Sequence, residues 1–344
     1  MATTFRVGVT RDFLKPDGSP GFGDIGLDLL DGDPRVEWEY FAENCDEVPA
    51  DVADRYDALL VLTPKITAAT LDGCRRLVLI SRFGVGYDNI DVPACTRNGV
   101  LLTITPDGVR RPVAVSAIAF LMALSHRMFA KDRLIREGRW ADKLDYMGMG
   151  LTGRTLGVIG LGNIGREMFT LARPFEMRHV AHDPYASAES AAECGATLLE
   201  LDELLHVADF VCVCCALTES TRHLLDARRL SLMKPTAYLI NVARGPIVDQ
   251  AALTRVLQER QIAGAALDVF EKEPIDPDDP LLSLDNVVLA PHAICWTDEI
   301  FRGNGRQACQ HILDAAHGRI PSHVVNRVAL ESPVLREKLQ RYAD

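Results

Sequence analysis

Three residues able to move a proton and grip an anion lie just past apolar runs in the last third of the chain. Arg244 follows the run 236–241, within Asn241-Val242-Ala243-Arg244-Gly245. Glu273 stands beyond the run 262–267, in Leu267-Asp268-Val269-Phe270-Glu271-Lys272-Glu273-Pro274, and His292 closes Leu289-Ala290-Pro291-His292. A guanidinium is permanently charged and holds a carboxylate with two parallel bonds. A neutral imidazole takes a proton from a hydroxyl and returns it to a carbonyl. A carboxylate beside it orients the ring and favours its protonated form. Each residue also has a plainer reading, a solvated arginine or a structural histidine. What favours chemistry is the shared placement at the ends of apolar runs, where parallel sheets put their ligands. The set suits the interconversion of a 2-hydroxy acid and a 2-keto acid, in which oxygen exchanges a proton and carbon a hydride, and the hydride calls for a cofactor.

The element that could hold such a cofactor is Thr155-Leu156-Gly157-Val158-Ile159-Gly160-Leu161-Gly162-Asn163-Ile164-Gly165. A buried strand breaks into Gly160-x-Gly162-x-x-Gly165 and resumes as a helix over about 163–172. Gly160 allows the tight turn, Gly162 lets backbone approach a pyrophosphate, and Gly165 lets the helix pack on the sheet. The helix N-terminus adds unpaired N–H groups and the positive end of its dipole. A second apolar stretch, 177–182, ends in Asp183, 18 residues beyond Gly165. An acid there accepts from an adenosine ribose and repels a 2′-phosphate, and Pro184 and Tyr185 offer no cation for one. The cofactor expected is NAD.

These pieces need sheets to carry them. Strands are predicted over 5–10, 36–41, 58–62, 77–81 and 100–103, then near 156–160, 178–182, 209–215, 236–241, 263–267 and 286–290. Helical patterns fall between them, so the fold class is α/β with parallel sheets. Six strands in the second set suit a full dinucleotide fold. Thr105-Pro106-Asp107-Gly108 is turn-like, and 113–127 reads as a long apolar helix able to bridge two domains. Residues 131–150 read as an exposed arm on which a partner subunit would bury Trp140 and Met147. Arg82-Phe83-Gly84-Val85-Gly86-Tyr87-Asp88-Asn89 has the glycines of an anion-binding nest, or of a simple turn.

At 344 residues the chain suits two domains. A net charge of −11 argues against nucleic acid or an anionic membrane as partner, but not against a small anion. The start of the chain lacks the pattern of a secretory leader, and the longest apolar run, 113–124, is too short to span a bilayer. Nine scattered cysteines without metal spacing point to a reducing cytoplasm and no metal site. Cys212, Cys214 and Cys215 read as small hydrophobes in a strand.

Together the glycine motif with Asp183, Asn241–Asp249, Leu267–Pro274 and Pro291-His292 resemble the D-isomer-specific 2-hydroxyacid dehydrogenases over roughly residues 55–326. The resemblance implies a Rossmann dinucleotide-binding domain, 106–296, inserted into a smaller flavodoxin-like substrate domain made of 1–105 and 297–344. It implies Arg244, Glu273 and His292 as catalytic residues, with His292 as acid/base. Cofactor contacts would come from Gly160, Gly162, Asn163, Ile164, Gly165, Asp183, Thr221, Val242, Ala243, Arg244, Asp268 and His292. Val85 and Gly86 would bind the substrate carboxylate with Arg244, and a homodimer would form through the nucleotide domains.

The chain also departs from the family's pattern. Cys214-Cys215-Ala216-Leu217-Thr218 stands where a His-x-Pro-Leu-Thr is usual, and Ser116 where a Glu is common. After His292 the bulky Trp296 either lines the substrate pocket or packs the hinge. The loop Arg11–Asp24 is long, and Arg11, Phe13 or Lys15 are candidates to read the substrate's far end. Formate enzymes of this type carry Gln where Glu273 stands, and phosphoglycerate enzymes an Arg near Thr63-Pro64. An NAD(H)-sensing corepressor and a phosphite or formate dehydrogenase remain the alternative readings.

Overall fold

The computed structural model describes residues 4–343. The reading of the extreme N-terminus as lacking a leader falls partly on residues 1–3, outside the described residues. The chain divides into two compact units, Met1–Val109 with Trp296–Asp344, and Arg110–Cys295.

The first unit is built on five parallel strands: β1 (Phe5–Val9), β2 (Val36–Tyr40), β3 (Ala58–Val61), β4 (Leu79–Arg82) and β5 (Leu101–Thr103). Their order is β2-β1-β3-β4-β5, that of a flavodoxin-like sheet. β3 is buried along its whole length, because helices cover both faces, and so it reads as an unbroken apolar run. The chain returns through the helix Asp298–Ala316 and ends on the short helix Pro333–Gln340. That end is locked by buried polar groups. Asp57 accepts from the Arg6 N–H (2.7 Å), Arg76 Nη2 (2.8 Å) and the Tyr342 hydroxyl (2.5 Å). Lys338 Nζ donates to the Leu77 and Asn98 carbonyls at 2.8 and 2.9 Å.

The second unit has seven parallel strands: β6 (Thr155–Ile159), β7 (Arg178–His182), β8 (Thr197–Leu198), β9 (Phe210–Val213), β10 (Tyr238–Asn241), β11 (Gly264–Leu267) and β12 (Val287–Leu289). The order is β12-β11-β10-β9-β6-β7-β8, so the strand sequence reverses direction beside β6. Ligands of such sheets bind beyond the strand ends at that reversal. Successive residues feed opposite cores. Val211, Val213, Leu239 and Leu267 pack with Leu204, Leu253 and Leu257 on one face. Phe210, Cys212, Ile240 and Ala266 pack with Phe120, Leu121 and Phe169 on the other.

Four expectations change. Six strands become seven, because the two-residue edge strand β8 is too short to leave a periodic signal. Thr105–Gly108 is not a turn: Pro106 opens a helix that runs to Ser125, and proline suits a first helical position as well as a turn. The helix is thereby long and apolar enough to cross a membrane on length and composition alone, but most of it is buried inside the protein. Ser116 on it is also buried, and its hydroxyl donates to the Pro112 carbonyl at 2.8 Å. Cys212 alone lies within a strand; Cys214 and Cys215 follow it. The arm of residues 131–150 is exposed, as expected, and holds the end of a helix, Met128–Arg136, and a whole 3₁₀ turn, Trp140–Tyr146.

Candidate active site

β10, β11 and β12 lie side by side in parallel register, with Asn241 paired to Leu267 and Leu267 to Leu289. The three loops that follow them therefore start level, one strand spacing apart. These are the loops that carry Arg244, Glu273 and His292.

Local polar contacts fix each loop. The buried Asn241 side chain accepts from the Ala243 N–H (3.0 Å) and donates to the Arg244 carbonyl (3.0 Å), so the end of β10 clamps its own loop. Gly245 lies flat on the next loop, where a Cβ would stand 1.9 Å from the Phe270 backbone. Any side chain at 245 would push the Arg244 and Glu273 loops apart. Asp268, nearly inaccessible to solvent, accepts from the N–H groups of Ala293 and Ile294 through Oδ1 at 2.8 and 3.0 Å. Its own carbonyl accepts the His292 N–H at 2.8 Å. Burial raises the Asp268 pKa, and the bonds from Ile294 and Ala293 offset only part of that shift. Asn241 and Asp268 are thus positioning residues. The readable signal for both was a polar side chain at or just past the end of an apolar strand.

His292 is held at φ +53°, in the left-handed region that is uncommon for residues other than glycine but that histidine enters more readily than most. Its Nδ1 lies 2.7 Å from Glu273 Oε2, and Glu273 Oε1 accepts from the Phe270 N–H at 3.0 Å. Partial burial works against the Glu273 charge. The His292 hydrogen bond, the Phe270 N–H and the charges of His292 and Arg244 outweigh it and hold the carboxyl below its usual range. An ionised carboxylate only accepts, so Nδ1 must carry a hydrogen and Nε2 is left to exchange a proton. The His292 side chain is 44% exposed, open enough to meet a ligand. Arg244 Nη1 donates to the Ala243 carbonyl at 2.7 Å.

The glycine motif follows β6 at the reversal point. Gly160 has φ +98°, and a Cβ there would meet the Cys215 N at 2.6 Å. A Cβ on Gly165 would meet the Gly160 carbonyl at 2.3 Å, whereas one on Gly162 would point into open space. That combination, two glycines packed tight and one facing outward at the start of the helix Asn163–Ala172, fits a pyrophosphate cradle. Asp183 Oδ2 accepts the Leu161 N–H (2.8 Å) and Oδ1 the Tyr185 N–H (2.9 Å). The acid thus braces the glycine loop, and its remaining lone pairs stay available to a ribose. The Thr221 hydroxyl donates to the Ala216 carbonyl and accepts from the Thr218 N–H, both at 2.7 Å, so it closes the loop after β9. Val242 and Ala243 lie half-buried in the loop after β10. Among the described residues, no group of three or more His, Cys, Asp or Glu is placed to hold a metal.

In the first unit, Phe83 leads from β4 into the loop that carries Val85 and Gly86. The Gly84 N–H donates to Thr105 Oγ1 at 2.7 Å, and Asn89 Nδ2 donates to the Pro64 carbonyl at 2.9 Å. Trp296 belongs to this unit and is 52% exposed.

A parallel sheet with a glycine cradle at its reversal point is the architecture of a dinucleotide-binding domain, and it carries an Arg, a Glu and a His in the loops after three adjacent strands. Residues 118–293 match the family described as D-isomer specific 2-hydroxyacid dehydrogenase, NAD binding domain, and the chain belongs to that family. It is an NAD-dependent D-2-hydroxyacid dehydrogenase. A glyoxylate reductase of Korarchaeum cryptofilum is 40% identical, over 79% of this chain and 83% of that one. Another from Thermococcus onnurineus is 38% identical, over 89% and 93%. The crystal structure of D-lactate dehydrogenase from Aquifex aeolicus, complexed with NAD and lactic acid, aligns with a TM-score of 0.81 at 26% identity, covering 93% of this chain and 99% of that one.

Proposed function

We propose that the chain interconverts a small 2-keto acid and its D-2-hydroxy acid, with His292 as acid/base, Glu273 orienting it, and Arg244 holding the substrate carboxylate and polarising the carbonyl. The observation that carries this reading is the 2.7 Å contact between His292 Nδ1 and Glu273 Oε2, with the charge of Arg244 acting on the same carboxylate. Gly160, Gly162, Asn163, Ile164, Gly165 and Asp183 hold the phosphate and ribose end of the cofactor. Thr221, Val242, Ala243 and Asp268 flank its other end. When bound, NADH supplies the hydride to the carbonyl carbon. As the carbonyl oxygen gains charge, Nε2–H of His292 gives it a proton, and Glu273 stabilises the ring while it is charged. The backbone N–H groups of Val85 and Gly86, freed by the glycines of their loop, are further candidates to bind the substrate carboxylate.

Loss of NADH absorbance on mixing the protein with a panel of keto acids tests the reading. Turnover of at least one is expected. Tight NADH binding without turnover of any would favour the sensor reading instead.

The enzyme is further read as a cytoplasmic homodimer. Its nine cysteines are all unpaired, in keeping with a reducing compartment. Phe129, Trp140, Leu144 and Met147 stand exposed on one stretch of chain, at 55%, 66%, 80% and 81%, a density of apolar surface that favours a protein partner. Light scattering on the purified chain should give twice the monomer mass, and Trp140→Glu with Leu144→Glu should halve it. A monomeric wild type would refute the assignment.

A further inference from the structure

Two residues before Glu273 stands a second carboxylate, Glu271, and it too meets a histidine: His223 Nε2 is hydrogen-bonded to Glu271 Oε1. The two side chains are 43% and 31% exposed, and a pair so open to solvent adds little to stability. What it joins is less ordinary. His223 belongs to the loop after β9 and Glu271 to the loop after β11, and β10 lies between those strands. The contact therefore bridges the loops of two strands that are not neighbours. All the residues concerned lie in the second unit.

Main-chain contacts seat both partners. His223 stands at φ +49°, in the left-handed region, and its N–H donates to the carbonyl of Pro246, two residues past Arg244, at 2.8 Å. The Leu225 N–H donates to the Ile247 carbonyl and the Asp249 N–H to the Leu225 carbonyl, both at 3.1 Å, so 223–225 run beside 246–249. Glu271 is held at its other end. Its N–H donates to Gln250 Oε1 at 3.0 Å, and Gln250 Nε2 donates to Asp279 Oδ2 at 2.7 Å. The Phe270–Glu271 peptide lies against Gly245, where a Cβ would stand 1.9 Å from the Phe270 carbonyl and 2.5 Å from the Glu271 N. The Phe270 N–H in turn holds Glu273 Oε1 at 3.0 Å. The short stretch that aims Glu273 is thus gripped by Gly245, by Gln250 and by His223, and of these only His223 comes from the loop after β9.

We propose that His223 is a positioning residue for the reaction: through Glu271 it fixes the loop from which Glu273 meets His292, and so keeps that carboxylate on the ring through the proton transfer. This inference rests on the acid/base reading above and extends it by one shell of contacts. The other charged groups that act on the His292–Glu273 pair are Arg244, in the loop after β10, and Asp268, at the end of β11. A change of side chain at 223 alters neither. Because the His223–Glu271 pair is exposed, its loss should show in the aim of the loop and not in the stability of the fold.

Steady-state reduction of a keto acid by NADH should be followed across pH, with chemical denaturation alongside. His223→Leu removes the contact, and His223→Gln keeps a donor at a similar conformational cost. His223→Leu should lower kcat by about 10-fold and leave KM for NADH unchanged, since a shift of about 1 Å remote from the chemistry can cost as much as ~10²-fold. It should also move the alkaline fall in the rate to lower pH, because a Glu273 that strays from the ring favours the imidazolium less. His223→Gln should recover most of the rate. Glu271→Leu should reproduce His223→Leu, and the double variant should lose no more than either single one. Denaturation midpoints should hardly move. An unmoved kcat and pH profile in His223→Leu overturns the proposal, with or without a loss of stability. So does a His223→Gln as impaired as the leucine variant, or losses that multiply in the double variant. Glu271→Leu carries the comparison if His223→Leu does not fold. Glu273→Gln separates this proposal from the reading beneath it: if its pH profile does not move either, the pairing of Glu273 with His292 fails first, and the role of His223 falls with it.

Discussion

At the scale of residues, the site depends on who holds the imidazole. His292 is fixed three ways: its N–H on the Asp268 carbonyl, its ring on Glu273, and the residues after it on the Asp268 carboxylate. His292→Asn keeps a polar side chain but removes the exchangeable proton, so kcat should fall by ~10²–10⁴ with NADH affinity retained. Near-normal turnover would remove His292 from its role. Glu273→Gln tests the partner. The carboxyl is held below its ordinary range, so at neutral pH it is an anion facing the ring. Without that charge the imidazolium is less favoured, and the alkaline fall in the rate of reduction should move to lower pH. An unmoved pH profile would count against the pairing.

At the scale of elements, the glycine turn separates fold from binding. Gly165→Ala must force the helix away from the Gly160 carbonyl and should cost about 1–3 kcal/mol of stability, seen in chemical denaturation. Gly162→Ala meets nothing within 4 Å. It should leave stability nearly unchanged and weaken NADH binding in a fluorescence titration. Equal loss of stability in both would mean the outward glycine is structural after all. The motif could be read from spacing alone because each glycine answers a local demand. The strand ends bearing Arg244, Glu273 and His292 were legible for the same reason: apolar runs stop where the sheet stops. What escaped the sequence depends on contacts between distant residues or on very short elements. Asp268 braces a loop 25 residues away, Phe22 is fixed by Phe301, and β8 is two residues long. The start of the helix at Pro106 was missed because Pro-Asp-Gly serves a turn and a helix N-terminus equally well.

At the scale of the whole molecule, buried ionisable groups set how it meets acid. His311 is 1% exposed, its Nε2 3.1 Å from Ser322 Oγ and its Nδ1 unpaired. Burial, helped by the nearby His323, pushes its pKa down to about 4. The unfolded chain takes up that proton near pH 6.5, so the folded state loses stability from there down to about pH 4, on the order of 3 kcal/mol. Denaturation midpoints between pH 7 and pH 4.5 should fall less steeply in His311→Gln, and equal slopes would mean other groups govern the loss. The seat of the 11–24 loop has a different consequence. Close main-chain contact at Gly26 and Gly305 holds its continuation on the helix Asp298–Ala316, so neither glycine can take a side chain without lifting that stretch of chain away.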